Sequence, residues 1–217
     1  MKKVVISEEL RTKLPAFSVG VTSFTVNVQK TDKLDKLIND LQVQIRQKYT
    51  LSDVLQIPNI KSARDGYKKL GKDPSRYRLA VESLYRRIVK NNDLYRINDV
   101  VDIGNILSIL TQRSVAVLDE EKIVGDVLIR IGKDEPYEGI GRGEINIENI
   151  PVYTDGVGPF GTPTSDTLRT AITDNTRKVL LFIISFDGKE VLEKDLKLCK
   201  ELYENYTDAK DFYFEII

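Results

Sequence analysis

The chain has 217 residues, 41% hydrophobic and 30% charged, which is the composition of a folded globular protein long enough to bury its core without disulfide or metal staples. Thirty-three basic residues balance thirty-three acidic ones, which excludes a globally basic nucleic-acid binder. Histidine is absent and Cys199 is the one cysteine, which excludes Ser-His-Asp triads, Cys-His pairs, histidine metal sites and an internal disulfide, and fits a reducing compartment.

Met1-Lys2-Lys3 is followed only by Val4-Val5-Ile6, too short for the apolar core of a signal peptide, and the run Val179 to Ile184 is far below the ~20 residues that span a bilayer; a cytoplasmic protein without membrane contact is expected. Ala16 to Val28 reads as a β segment. Phe17, Val19 and Val21 alternate before Phe24, Val26 and Val28 take up the other parity, and this phase change at Thr22-Ser23 predicts a bulge or turn. Thr31 is expected to cap a helix carrying Leu34, Leu37, Ile38, Leu41 and Ile45. Further helices are expected over Ile60 to Leu70, ended by Gly71, over Ser75 to Val89 and over Val100 to Leu110. From Val115 the period becomes that of strands, over Val115 to Leu118, Val124 to Ile131, Pro151 to Tyr153 and Val179 to Phe186. An amphipathic helix over Glu190 to Glu204 presents Leu192, Leu196, Cys199 and Tyr203 on one face, and Phe212 to Ile217 reads as an edge strand. Helices early and strands late argue for an α+β fold, with mixed sheets flanked by helices, in one domain over residues 1–217.

Neutral net charge conceals a local asymmetry. From Lys61 to Lys90 ten basic residues face three acidic ones, Asp65, Asp73 and Glu82, and Tyr67, Tyr77 and Tyr85 are interleaved with them. Cations neutralise phosphates and aromatic faces stack on unpaired bases, so Arg64, Lys68, Lys69, Arg76, Arg78, Arg86 and Arg87 are candidate RNA contacts. The alternative is a pair of solvated helices whose tyrosines belong to the core.

Three segments carry candidate chemistry. Tyr153 to Thr167 contains Gly156, Gly158, Pro159, Gly161 and Pro163, which demand an irregular loop; its Thr162, Thr164, Ser165, Asp166 and Thr167 offer hydroxyls, a carboxylate and free backbone amides. In Asp99-Val-Val-Asp-Ile-Gly-Asn105, Asn105 lies three residues from Asp102 in an apolar run, and Gly104 in mid-helix suggests a close approach. The alternative there is that Asp99 or Asp102 is an N-cap and Asn105 a surface residue. Asp119-Glu120-Glu121 with Asp126 offers carboxylates for a cation but lacks EF-hand spacing, and a turn at Asp119 is the better reading.

The segment Arg96-Ile-Asn-Asp-Val-Val-Asp-Ile-Gly-Asn105, followed by Asp119-Glu-Glu-Lys-Ile-Val-Gly125 and a strand ending in Arg130, resembles the B3/B4 domain of the bacterial phenylalanyl-tRNA synthetase β subunit. That family carries a ΦNxVVDΦxN segment with an aspartate fourteen residues beyond its asparagine, the separation of Asn105 and Asp119. Gly71-Lys-Asp-Pro-Ser-Arg-Tyr-Arg, Glu82-Ser-Leu-Tyr-Arg-Arg87 and Gly161-Thr-Pro-Thr-Ser-Asp-Thr167 are similar to free-standing proteins of this domain. The resemblance is strongest over residues 61–186, with 1–60 as an N-terminal strand-helix elaboration.

The resemblance implies an editing domain that hydrolyses tRNA wrongly charged with tyrosine, with no cofactor and no metal. Carried over residue by residue, the family's pocket asparagine is Asn105, its threonine falls at Gly104, its histidine at Ala116, and its loop glutamate near Ser165 or Asp166. Two pocket side chains are therefore replaced, which implies a related pocket tuned to something else. The implied catalytic set is Asn105, Thr164, Ser165 and Asp166, in a pocket walled by Gly104, Ala116, Gly158, Phe160 and Gly161. The gap beside Gly104 is expected to open a cavity for the Asn105 amide. Asp166 is expected to receive the substrate's ammonium or orient the water; the ammonium role fits better, because no neighbour in sequence would raise its pKa. Two functions follow: an enzyme that deacylates mischarged tRNA in trans, or a non-catalytic tRNA-binding module.

Overall fold

The computed structural model describes residues 1–217. In chain order the elements are β1 (Val4–Ile6), α1 (Glu8–Lys13), β2 (Ser18–Thr25), α2 (Asp35–Lys48), α3 (Leu51–Val54), α4 (Pro58–Lys69), α5 (Ala80–Val89), α6 (Asp99–Thr111), β3 (Val115–Asp119), β4 (Val127–Ile131), β5 (Glu138–Gly139), β6 (Gly143–Glu144), β7 (Pro151–Thr154), β8 (Pro159–Gly161), β9 (Lys178–Ser185), α7 (Leu192–Tyr206) and β10 (Lys210–Ile216). The fold is α+β. No helix is long and apolar enough to cross a membrane.

The near-continuous apolar sequence of β9 is stable only if both of its faces are covered. It lies inside an antiparallel sheet of order β10-β2-β9-β3. One face of this sheet packs on α6 and α7, with α2, α4 and α5 completing the same core, where Phe24, Ile103, Leu181, Ile183 and Tyr203 are buried. The other face meets a second sheet, β1-β4-β7-β8, in which β1 runs parallel to β4 and the remaining pairs are antiparallel. Val19, Val21, Ile129, Phe160 and Phe182 fill the space between the sheets.

The phase change in the first strand has a different cause from the bulge it predicts. β2 pairs with β9 from Ser18 to Thr25 without a register shift. Its odd positions Val19 and Val21 face the second sheet, and its even position Phe24 faces the helices. The parity switch is paid for by small and polar residues: Gly20 leaves room for Leu192 and Leu196, and the Ser23 hydroxyl bonds to the Glu120 carboxylate. The irregularity belongs to β10 instead, between Lys210 and Tyr213, where Asp211 adopts a positive φ of 57°.

Other boundaries move for local reasons. Thr31 does not cap α2; its N–H and hydroxyl donate to the Asp99 carboxylate, and α2 starts at Asp35 without a side-chain cap. The helix expected from Ser75 begins at Ala80, because Asp73 accepts from the Ser75 N–H and the Tyr77 N–H and so holds a turn. The strand expected from Val124 begins at Val127, after a turn with Gly125 at φ 77° and the Val124 N–H held by Asp155. Asn98, not Asp99 or Asp102, caps α6 by accepting from the Val101 N–H. Val4-Val5-Ile6, read only as a failed signal core, is a strand on β4, and the β5–β6 hairpin has no counterpart in the sequence reading.

Between β4 and β7 the chain makes a long excursion over residues 132–150. Gly132 closes it, donating to the Ile150 carbonyl and accepting from the Asn149 N–H. A Cβ at Gly132 would lie 1.9 Å from the Ile147 carbonyl oxygen, a contact that only backbone movement relieves. Gly132→Ala is therefore expected to destabilise the fold by about 2–3 kcal/mol, read as a lower urea midpoint at unchanged m value.

Candidate functional site

The basic segment is organised by one buried carboxylate. Glu82 on α5 has a side chain only 1% exposed, with the Arg64 guanidinium at 2.7 Å, Arg86 at 3.9 Å and Arg78 at 4.0 Å. Arg64 also donates to the Pro74 carbonyl and the Ser75 hydroxyl, so it is a pillar of this face and points inward. Asp65 is held between Lys61 at 2.8 Å and Lys68 at 3.2 Å, and Asp73 is spent on its own turn. Two of the three acids, Asp65 and Glu82, are thus paired with cations of the segment itself, while the exposed Lys69 and Arg76 carry no ion pair. Of the interleaved tyrosines, Tyr67 and Tyr85 are core residues; Tyr85 donates to the Ile109 carbonyl, and burial pushes its phenol up to about 12. Tyr77 stays half-buried, with the Lys72 ammonium 3.9 Å and the Arg76 guanidinium 5.5 Å from its ring centre.

This face borders a cleft of about 830 Å³. Arg76 and Tyr77 line one side, Glu135, Arg142 and Asn146 the other, and the buried Thr164 its floor. Lys72 ties the two sides together: its ammonium, 8% exposed as a residue, donates to the Asn146 carbonyl and Oδ1 and to the Glu148 carbonyl at 2.7–2.8 Å. Burial holds its pKa below the ordinary lysine value. Arg130 fixes Glu135 through two bonds of 2.8 and 2.9 Å, and Arg142, on the β5–β6 turn, donates to the Ser83 hydroxyl at 3.0 Å. On the floor the Thr164 and Tyr67 hydroxyls share a hydrogen bond of 2.9 Å. Burial raises the Tyr67 phenol well above its usual range, so it remains protonated.

The loop holding Thr164 is rigid and self-contained. Asp155 accepts from the Val157 and Gly158 N–H groups and pairs with Arg169 at 2.9 Å, which fixes the turn entering β8. The Thr162 hydroxyl accepts from the Thr164 and Ser165 N–H groups at 3.1 and 3.0 Å; the Thr162 and Thr167 N–H groups donate to the Ser165 and Phe160 carbonyls. These amides are therefore engaged inside the loop and do not face a ligand, contrary to the free donors expected from sequence. The Tyr137 hydroxyl and the Ile140 N–H bind the Ser165 and Asp166 carbonyls, joining the loop to the hairpin.

Asp166 keeps some surface exposure as a residue, but its Oδ1 is enclosed and has no hydrogen-bond partner, and the same holds for the buried Tyr153 hydroxyl. A Cβ on Gly161 would sit 2.7 Å from this Oδ1 and 2.5 Å from the Tyr153 ring, so the glycine is what lets the two side chains pack together. Burial raises the Asp166 pKa to about 7. No neighbour in sequence is the cause; burial by the fold is.

The other predicted pocket residues lie elsewhere. The cavity expected beside Gly104 is filled by Val117, whose Cγ2 would be 2.3 Å from an added Cβ. Asn105 is half-buried on α6, does not line the cleft, and its amide makes no hydrogen bond within the chain. Ala116 points from β3 to the opposite face, into the core between the sheets, because successive residues of a strand alternate sides. Phe160 shares that core, with Arg169 5.6 Å from its ring centre, and Gly158 turns at a φ of 144°. Asp119 and Glu120 are used structurally: Asp119 accepts from the Glu121 N–H and the Thr176 hydroxyl, and Glu120 from the Lys2 N–H. No group of three or more His, Cys, Asp or Glu side chains is placed to hold a metal ion. Arg142, Lys72 and Tyr137 were missed by sequence reasoning; the one available signal was an arginine set between Gly141 and Gly143.

The model of the B3/4 domain family matches residues 62–208. Among solved structures, an N-terminal fragment of the phenylalanyl-tRNA synthetase β-subunit from Pyrococcus horikoshii is similar in fold, with a TM-score of 0.51 and 12% identity over 99% of this chain and 53% of that one. The chain thus spans about half the length of that structure. No curated protein matches it. The matched span includes most of α4, all of α5 and α6, the cleft and the Thr162–Asp166 loop, and on that match the chain belongs to the B3/4 domain family.

Proposed function

We propose that this B3/4 protein binds the charged end of a tRNA and hydrolyses its aminoacyl ester in trans. The observation that carries the reading is the continuity of a basic face with a polar cleft whose floor is Thr164, hydrogen-bonded to the buried Tyr67 hydroxyl behind it. Lys68, Lys69, Arg76, Arg78, Arg86 and Arg87 take phosphates, and the ester lies in the cleft. Water adds to the carbonyl carbon, the bond to the ribose oxygen breaks, and the water's proton passes to that oxygen. With the loop amides engaged, the Arg142 guanidinium is the donor for the oxyanion. With Tyr67 as the donor of their shared bond, the Thr164 proton is left to hold the substrate, while the vicinal ribose hydroxyl orients the water. An aminoacyl ester is already activated, so positioning of this kind suffices without histidine. Ser165 and Asp166 hold the loop beneath the reacting groups, and Asn105 takes no part in this arrangement.

The second reading, a non-catalytic tRNA binder, is favoured by the enclosure of the Asp166 Oδ1, which leaves the cleft without a carboxylate base from the loop. Deacylation of a panel of charged tRNAs, measured beside binding of uncharged tRNA, separates the two. Arg142→Ala and Thr164→Val are expected to lower kcat by at least tenfold with smaller effects on KM. Binding of tRNA by the parent without turnover on any charged tRNA replaces hydrolysis by the second reading.

Two further outcomes follow. Reversing Lys68, Lys69 and Arg76 together to Glu is expected to weaken tRNA binding and to flatten its salt dependence by roughly one unit of slope per lost phosphate contact. Arg64 is left intact in that experiment because its reversal would break the Glu82 pair. For Asp166, the folded state favours the protonated acid between the ordinary 3.8 and about 7. The resulting stabilisation is complete below the lower value and lost as pH rises through the upper one. Asp166→Asn, which cannot ionise, is expected to gain stability relative to the parent as pH rises from about 4 to about 8, on the order of 4 kcal/mol at ~1.4 kcal/mol per unit, read as the pH dependence of the difference in unfolding free energy.

A further inference from the structure

The link between α5 and α6 carries an aromatic ring that nothing above uses. Tyr95 is 67% exposed, yet the residues on either side of it are firmly held. The preceding Leu94 is buried and donates its N–H to the Gln42 side chain at 2.7 Å. The following Arg96 binds Asp102 at 2.7 Å and the Thr31 carbonyl at 2.8 Å, with Asp35 as a further partner. Leu94 is buried and Tyr95 exposed, so anchoring Leu94 inward leaves Tyr95 outward. One face of its ring is backed by the Arg87 guanidinium, 3.7 Å from the ring centre, and Arg87 is itself held by the Asp93 carbonyl at 2.5 Å. Asp93 is in turn paired with Arg46 at 2.6 Å.

The position of this ring relative to the cleft follows from helix geometry. Ser83, which holds the cleft residue Arg142, and Arg87, which backs Tyr95, are four residues apart on α5 and share one stripe with Lys90. The axial rise between Ser83 and Arg87 is about 6 Å. A single strand that leaves the cleft along this stripe of α5 passes Arg87 and meets the Tyr95 ring.

We infer that Tyr95, backed by Arg87, is a stacking platform for an unpaired base of the bound RNA next to the nucleotide in the cleft. The inference rests on the tRNA-binding part of the proposed function and adds to it a recognition element that works through π surface instead of charge. A ring fixed before binding loses little conformational freedom when a base stacks on it, and the guanidinium beneath it neutralises an adjacent phosphate.

The test uses the full chain and an uncharged tRNA with 2-aminopurine in its single-stranded end, titrated over a range of salt concentrations. Tyr95→Leu is expected to weaken binding about tenfold, to abolish stacking-induced quenching of the 2-aminopurine, and to leave the slope of affinity against salt unchanged. Tyr95→Phe is expected to retain both affinity and quenching, which a hydrogen-bonding role for the hydroxyl would not allow. Tyr95→Leu with the parent's affinity and quenching overturns the stacking role while leaving the tRNA-binding reading in place. Absence of salt-dependent tRNA binding by the parent overturns both.

Discussion

The β2–β9 pair, buried on both faces, is the constraint from which the rest of the structure follows. Two central strands without a polar face need cover on each side, and here helices supply one cover and a second sheet the other. Strand parity then assigns every neighbour to a layer. On β3, Val117 goes to α6 and Ala116 to the space between the sheets, so two residues adjacent in sequence serve different cores. The same rule separates Asn105, carried by the helix over one face, from the Phe160 and Tyr153 side chains in the other core. The cleft forms at the border of the layers, where the 132–150 excursion meets the α4–α5 link.

A second organising feature is electrostatic. A carboxylate as enclosed as Glu82 is costly by several kcal/mol unless it is paired, and the Arg64 bond with Arg78 and Arg86 nearby meets that requirement. The consequence for function is indirect. The buried acid fixes the spacing of the arginines around it, and the fold consumes the remaining acids of the segment in turns and surface pairs. A chain with zero formal net charge thereby presents a local cationic face, which serves attraction of a polyanion without making the whole surface adhesive.

What the sequence disclosed divides along the same physical lines. Regular periodicity was readable: β9, β3 and the buried stripe Leu192, Leu196, Cys199 and Tyr203 of α7 stand where the pattern put them. The family was readable from the spacing of Asn105 and Asp119 and from the Thr162–Asp166 loop, and the family match covers both. Properties that depend on which distant elements meet were not readable. The Thr22–Ser23 phase change has two explanations in sequence, a bulge or two buried faces, and only the pairing with β9 decides between them. The raised pKa of Asp166 comes from enclosure beside Tyr153, with Tyr137 packed nearby, and nothing adjacent in sequence encodes it. Gly104 signalled a close approach correctly, but its neighbour is Val117 and not a ligand.

The loop itself shows how rigidity and chemistry compete for the same groups. Four of its N–H groups are taken by the Thr162 hydroxyl and by carbonyls of the loop, and this is what holds an irregular segment with two prolines and three glycines in one shape. Donors used in this way are no longer available to an oxyanion, so transition-state charge in the proposed reaction falls to side chains on other elements. Arg142 answers that need from the hairpin, which is bonded to the loop through Tyr137 and Ile140 and to α5 through Ser83. The guanidinium is thereby held between the two parts of the site, one that presents the hydroxyl pair and one that presents the cationic face. In this arrangement the cleft relies on the relative placement of the loop, hairpin and α5, not on an activated side chain, which is the solution open to a protein that contains no histidine.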